Sequence, residues 1–125
     1  MNRKTRRAAI LRAIENRSGD PSLSAVAVAR LLGVTPRYVH LLLEETGRSF
    51  TRHLLERRLE KAVLMLRDPR WHHRKIADIA VEAGFTDLSY FNRAFRRSFG
   101  LTPSQTRDLA RQPEAPLAAG PPPGP

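Results

Sequence analysis

The side chains with the most recognisable chemistry lie close together at Asn92, Arg93, Arg96 and Arg97. Arginine presents a planar fork of donors that matches a guanine edge or a phosphate, and asparagine donates to and accepts from an adenine edge. This is the chemistry of holding and reading a polyanion, not of breaking bonds. No nucleophile, base and orienting group fall together, and no glycine-rich phosphate loop is present. His40, His53, His72 and His73 lack metal-ligand spacing such as H-E-x-x-H. Glu44, Glu45, Glu56 and Glu60 suit charge pairing along helices better than acid–base work. With no cysteine, disulfides and thiolate metal sites are excluded. Neither catalysis nor a cofactor or metal is expected.

The element that carries these residues must be a helix set against another helix. Ile76, Ile79, Ala80 and Ala83 fall at helical spacing and give one apolar face. Gly84 can end that helix with a positive φ. Asp87 is a good N-cap for the next one, in which Leu88, Phe91, Ala94, Phe95 and Phe99 fall near a single face. A basic, polar second helix after a short glycine turn is the arrangement of a DNA-reading helix-turn-helix. Any helical bundle with a solvated basic face would look similar, so a second copy matters. Ala29-x-x-x-Gly33 matches Ala80-x-x-x-Gly84, and Val28 matches Ile79. Val39, Leu42 and Leu43 match Phe91, Ala94 and Phe95 if the second copy carries one extra residue. In this register Arg37 pairs with Ser89, His40 with Asn92 and Leu41 with Arg93, all on the outward side.

The rest of the chain reads as helices around this pair of units. Residues 1–20 form a basic lead-in. Its helix runs from Met1 to Arg17, with Ala9, Ile10, Ala13 and Ile14 on one side. Arg3, Lys4, Arg6 and Arg7 oppose the macrodipole at its start, so that end should fray. Residues 21–49 form the first unit. Ser24 caps a helix over 25–32 with Val28, Ala29, Leu31 and Leu32 inward, and Thr35-Pro36 starts another that reaches about Thr46. Residues 50–68 form a rod about 25 Å long, with the stripe Leu55, Leu59, Ala62, Val63 and Leu66. Arg52, Arg57, Arg58 and Lys61 lie off that stripe. Residues 69–110 form the second unit, with Trp71 plugging the gap between the halves and Thr102-Pro103 starting a last helix to about Ala110. Residues 111–125 are rich in Pro, Ala and Gly and are expected to be disordered. The fold class is therefore all-α.

Net charge is +10 and the isoelectric point is near 11.4, which suits a polyanionic partner. Arginine greatly outnumbers lysine. No apolar run is long enough to span a membrane, and the basic N-terminus lacks the apolar core of a signal peptide. A cytoplasmic protein is expected. Two reading helices joined by a rigid rod could enter successive major grooves, which recur about every 34 Å. The rod is shorter than that, so some bending of the DNA is expected.

From Pro21 to Arg107 the sequence resembles the DNA-binding domain of the AraC/XylS family of bacterial transcriptional regulators. The strongest part is the run from Ile76 to Ser104, supported by Thr35-Pro-Arg-Tyr-Val39, Glu45-Thr-Gly47 and Ser49-Phe50. The resemblance implies about seven helices in two homeodomain-like helix-turn-helix subdomains joined by a linker helix. It implies double-stranded DNA as partner, RNA polymerase as a further one, and activation or repression of promoters at the nucleoid. Carried over by position, Arg37, His40 and Leu41 of the first reading helix would face bases, as would Leu88, Ser89, Asn92 and Arg93 of the second. Phosphate contacts would come from helix N-termini such as that capped by Thr35, and from Arg96 and Arg97. The chain departs from the family at Leu41, where arginine is frequent, and at Thr106, where an aromatic is usual. Leucine can touch a thymine methyl but cannot bond a guanine edge. Family members usually add an N-terminal sensing and dimerisation domain. The chain is accordingly expected to be the C-terminal part of a longer effector-responsive regulator, monomeric alone and dimeric with a sensor. The rival reading is a basic helical module that docks on an acidic protein without reading bases. A membrane-surface helix is a weaker rival, because the apolar faces are needed for the core.

Overall fold

Polar caps decide where most helices begin. In the computed structural model, which describes residues 2–112, the side chains of Asn2, Ser24, Thr35, Ser49, Asp87 and Thr102 each accept a backbone N–H of the turn they start. They open α1 (Arg3–Arg17), α2 (Ala25–Leu32), α3 (Pro36–Glu44), α4 (Phe50–Arg67), α6 (Leu88–Phe99) and α7 (Pro103–Arg111). Between α4 and α6 lie a single 3-10 turn, Pro69–Trp71, and the short α5 (Ile76–Glu82), which starts at Lys75 without a side-chain cap. Thr102 and Gln105 form a reciprocal capping box. Among the described residues every regular element is helical, and no single helix is long and apolar enough to cross a membrane.

The helices enclose two separate cores. Ile10, Ala13 and Ile14 of α1, Val28 and Ala29 of α2, and Val39, Leu42 and Leu43 of α3 make the first, closed by Phe50 and Leu54 of α4. Leu59, Ala62, Met65 and Leu66 of α4 make the second with Ile79, Ala80 and Ala83 and with Phe85, Phe91, Ala94 and Phe95. The rings of Phe85, Phe91 and Phe95 stack in a tilted series with centroids 4.8 and 5.7 Å apart. The chain passes from one core to the other along α4.

Several expectations change. The basic start of α1 is tied down, contrary to what its charge alone suggests: Asn2 caps it, and Arg3 and Arg7 bind Glu45. Glu45 therefore pairs across the fold, whereas Glu56 and Glu60 do pair within α4, with Arg52 and Arg57. α3 stops at Glu44, because Glu45–Gly47 turn back through bonds to Leu42, Leu43 and Glu44 carbonyls. Leu31, Leu88 and Phe99 share the helical spacing of core residues but are 51%, 44% and 43% exposed, because no neighbouring helix covers their side. On α4, Leu54 and Met65 are buried, while Leu55 and Val63 are half-buried. Arg57, Arg58 and Lys61 are half-buried too, not wholly off the packed side, whereas Arg52 is exposed. Trp71 packs on the second core with Arg74 over its ring at 4.9 Å, and does not bridge the halves. Thr106 bonds back to the Thr102 carbonyl at 3.0 Å. Arg111 still belongs to α7, and the remainder of the expected disordered tail, residues 113–125, lies outside the described residues.

Candidate nucleic-acid interface

Each reading helix follows a turn built the same way. The Val34 N–H donates to the Ala29 carbonyl and the Phe85 N–H to the Ala80 carbonyl, both at 2.9 Å. These are the 6→1 bonds of a glycine-terminated helix, with Gly33 at φ +69° and Gly84 at φ +108°. α2 and α3 meet at 104°, inside the range for a DNA-binding helix-turn-helix. Thr35 accepts the Tyr38 N–H at 3.1 Å, and Asp87 accepts the Tyr90 N–H at 3.0 Å. Both reading helices thus start at a capped, open N-terminus.

Burial of the inner side fixes the outer one. Val39, Leu42 and Leu43 hold α3 down, and Phe91, Ala94 and Phe95 hold α6 down. Arg37, His40 and Leu41 on α3 stand exposed, as do Leu88, Ser89, Asn92 and Arg93 on α6. Thr35, Arg96 and Arg97 are also exposed. On α6, Ser89, Arg93 and Arg96 lie directly opposite the buried stripe, Leu88 and Asn92 lie on one flank, and Arg97 lies on the other. Among the described residues Arg37, Arg93, Arg96 and Arg97 make no ion pair with a carboxylate. Other arginines do: Arg48 and Arg52 hold Glu56, and Arg57 holds Glu60. The positive charge of α6 is left uncommitted.

Extending the repeat register one turn sets Glu44 against Arg96 and Glu45 against Arg97. The first reading helix therefore ends acidic where the second ends basic. Glu45 is compensated from outside its own unit. Arg3 reaches one of its oxygens and Arg7 the other at 2.5 Å, and these bonds, that from Arg3 above all, hold its carboxyl below the usual carboxylate range. Arg6 lies 5.9 Å from the centroid of the Tyr38 ring. Sequence reasoning missed this docking, although the acidic end of the first copy beside the basic start of α1 was the available signal. It also missed a groove between α4 and α6, onto which Arg97 opens together with Arg48, Arg52 and Arg57. Among the described residues no group of three or more His, Cys, Asp or Glu side chains is placed to hold a metal ion.

The family model described as "Helix-turn-helix domain" matches residues 28–109. The transcriptional activator RhrA of Rhizobium meliloti (strain 1021) is 37% identical over 105 residues, covering 84% of this chain and 33% of that protein. The C-terminal domain of AraT, a response regulator from Geobacillus stearothermophilus, superposes with a TM-score of 0.76 at 28% identity, covering 88% of this chain and 89% of that domain. A transcriptional regulator from Chromobacterium violaceum, described under AraC-type DNA-binding domain-containing proteins, shares the fold with a TM-score of 0.75 at 24% identity, covering 88% of this chain and 96% of that one. The chain spans about a third of the length of RhrA, and 28% and 27% of two further curated relatives.

Proposed function

This chain belongs to the AraC-type helix-turn-helix family, and from that premise we propose that it reads two successive major grooves of double-stranded DNA as the DNA-binding part of a transcriptional regulator. One observation carries the reading: two equivalent helices each bury one side in their own core and expose, at matching positions, side chains suited to base edges. Arg37, His40 and Leu41 face the first box, and Leu88, Ser89, Asn92 and Arg93 face the second. Arg93 forks to a guanine and Asn92 pairs with an adenine, while Leu41 contributes contact with a thymine methyl. Arg96, Arg97 and the amide end of the helix capped by Thr35 hold phosphates and set the register of each helix in its groove. The charge imbalance between α3 and α6 makes the second box the stronger one. Regulation follows by contact with RNA polymerase at the promoter. The domain acts as a monomer on an asymmetric site, within a longer cytoplasmic protein that supplies effector sensing and dimerisation.

Selection of bound sites from a random DNA pool at two salt concentrations tests this. The expected result is an asymmetric motif about two helical turns long with two boxes, the second carrying more information. Binding without any motif, vanishing as salt rises, would refute base reading and favour a basic module that docks on an acidic protein.

A further inference from the structure

The two cores meet where α4 is a single helix with no fully buried apolar residue between Leu54, which belongs to the first core, and Leu59, which belongs to the second. Two small bodies on one helix would be free to rock about it. At this point Arg58 leaves α4 toward the loop after α1. Its Nε donates to the Ser18 carbonyl at 2.8 Å, and a terminal nitrogen donates to the Asp20 carbonyl, also at 2.8 Å. Ser18 is 5% exposed, and it follows the last residue of α1, where carbonyls lack helical partners and the helix dipole is negative. The Asp20 carboxylate holds Ser22 through its N–H at 2.9 Å and its hydroxyl at 2.8 Å. That turn folds the loop and leaves the Asp20 carbonyl to Arg58.

The second unit closes on the same spot. A Cβ at Gly84 would lie 2.4 Å from the Ser18 carbonyl oxygen and 2.7 Å from Arg58 Nε. A Cβ at Gly19 would lie 2.7 Å from Lys61 Nζ and 3.4 Å from the Glu82 carbonyl oxygen. The end of α1 and the turn between α5 and α6 thus approach each other through their backbones, and α4 reaches the same spot through the Arg58 and Lys61 side chains. Burial pushes the Arg58 guanidinium down from its ordinary range, against the opposing charge of Asp20, as desolvation in a tight junction does.

We infer that Arg58 is a brace that locks the two helix-turn-helix units into one body, and so fixes the spacing between DNA boxes that the protein accepts. The inference rests on the two-groove reading above. Arg58 here is a positioning residue and touches no base. Its planar fork reaches two carbonyls two residues apart, which a lysine ammonium at the same place cannot match. The α1 side of the brace lies before residue 28, where the match to the family begins. Adding one base pair between the boxes moves the second groove by about 3.4 Å and turns it by about 35°. A rigid pair of readers resists that change and a hinged pair follows it.

The test has two readouts on the 125-residue chain. The first is pulsed electron resonance between nitroxides at Arg30→Cys in α2 and Ser104→Cys in α7, exposed positions in a chain without native cysteine. The distance distribution should be narrow in the parent, broad in Arg58→Met and intermediate in Arg58→Lys. A distribution as narrow in Arg58→Met as in the parent overturns the brace. Circular dichroism checks folding, and if Arg58→Met unfolds then Arg58→Lys decides by the same criterion. The second readout is affinity for the selected site with one base pair added or removed between boxes. The parent should lose about tenfold and Arg58→Met less than about threefold, the difference being misfit that a hinge relieves. Preference within each box should be unchanged. Broadened distances with an unaltered spacing profile would overturn the role in spacing. A parent with no two-box preference would sink the two-groove reading, while the distance measurement still judges the brace.

Discussion

Replacing Gly84 by alanine should damage this fold far more than the same change at Gly33. Both glycines end the first helix of a helix-turn-helix, and both have positive φ, +108° at Gly84 and +69° at Gly33. Alanine in the left-handed region costs about 1–2 kcal/mol. At Gly33 nothing lies within 4 Å of the added Cβ, so the cost ends there. At Gly84 the Cβ lands 2.4 Å from the Ser18 carbonyl oxygen. That oxygen cannot withdraw without lengthening its bond to Arg58, and a hydrogen bond to a charged group contributes about 1.5–3 kcal/mol. Together these give a loss of about 3–5 kcal/mol, a large share of the roughly 5–15 kcal/mol that holds a domain folded. For a chain of this size the melting temperature should fall by about 10–20 °C, against about 5 °C for Gly33→Ala. Urea unfolding followed by circular dichroism gives both losses on one scale. Equal losses, within about 0.5 kcal/mol, would show that Gly84 is needed for its backbone angle alone and that the junction with Ser18 and Arg58 contributes nothing.

Four further outcomes are expected. Arg93→Ala should cost about 1–3 kcal/mol on the selected site and relax one base position, whereas full retention of discrimination in a binding titration would remove Arg93 from base reading. Arg96→Ala should weaken all DNA about equally and lower the slope of log affinity against log salt by about one, and a slope that does not move would rule out a phosphate contact. Leu41→Arg should add a guanine preference to the first box, visible in repeated site selection. Stability should also depend on pH through His53, whose ring nitrogen lies 2.8 Å from the Thr46 hydroxyl and whose pKa is lowered, first by burial and then by Arg48. The fold favours its neutral form, so stability is full above the ordinary value of 6.5 and falls as pH drops through it toward the lower folded value. His53→Gln should flatten the dependence of the urea midpoint between about pH 7.5 and 5.5, and an unchanged slope would assign that dependence elsewhere.

What could be read from the sequence was local. Ser24, Thr35, Asp87 and Thr102 announced helix starts because a cap bonds an N–H within the next turn. The outward positions were legible because two copies had to agree on which side Val39 and Phe91 bury. The end of α3 and the Asn2 cap are local misses, but the larger ones are non-local. Leu31, Leu88 and Phe99 sit at core spacing, but helical periodicity does not reveal whether a third helix arrives to cover them. Leu88 shows the ambiguity most clearly, since the same residue reads as core by periodicity and as base contact by position. Glu45 looked like one of several helix-surface carboxylates until the fold brought Arg3 and Arg7 to it from about forty residues away. Arg58 reads only as a charge off the α4 stripe, because its partners are carbonyls and carbonyls have no signature in a side-chain sequence.

Glu45 and Arg58 lead to the same element. α1 contributes Ile10 and Ile14 to the first core, but its ends do more than fill space. Its start brings Arg3 and Arg7 to an acidic carboxylate at the end of the first reading helix, at the position where the second copy carries Arg97. Without them the first unit would meet the DNA backbone with Glu44 and Glu45 both uncompensated, and repulsion from phosphate would oppose docking of α3. Its C-cap Ser18 and Asp20 of the loop that follows supply the two carbonyls that hold Arg58, and through Gly84 the second unit. The helix thus supports the first unit electrostatically and both units mechanically, although the match to the family starts only at residue 28. The two effects separate by salt. Loss of Arg3 and Arg7 should weaken binding in a way that high salt masks, because screening removes the repulsion they offset. Loss of Arg58 acts through geometry, and added salt cannot restore it.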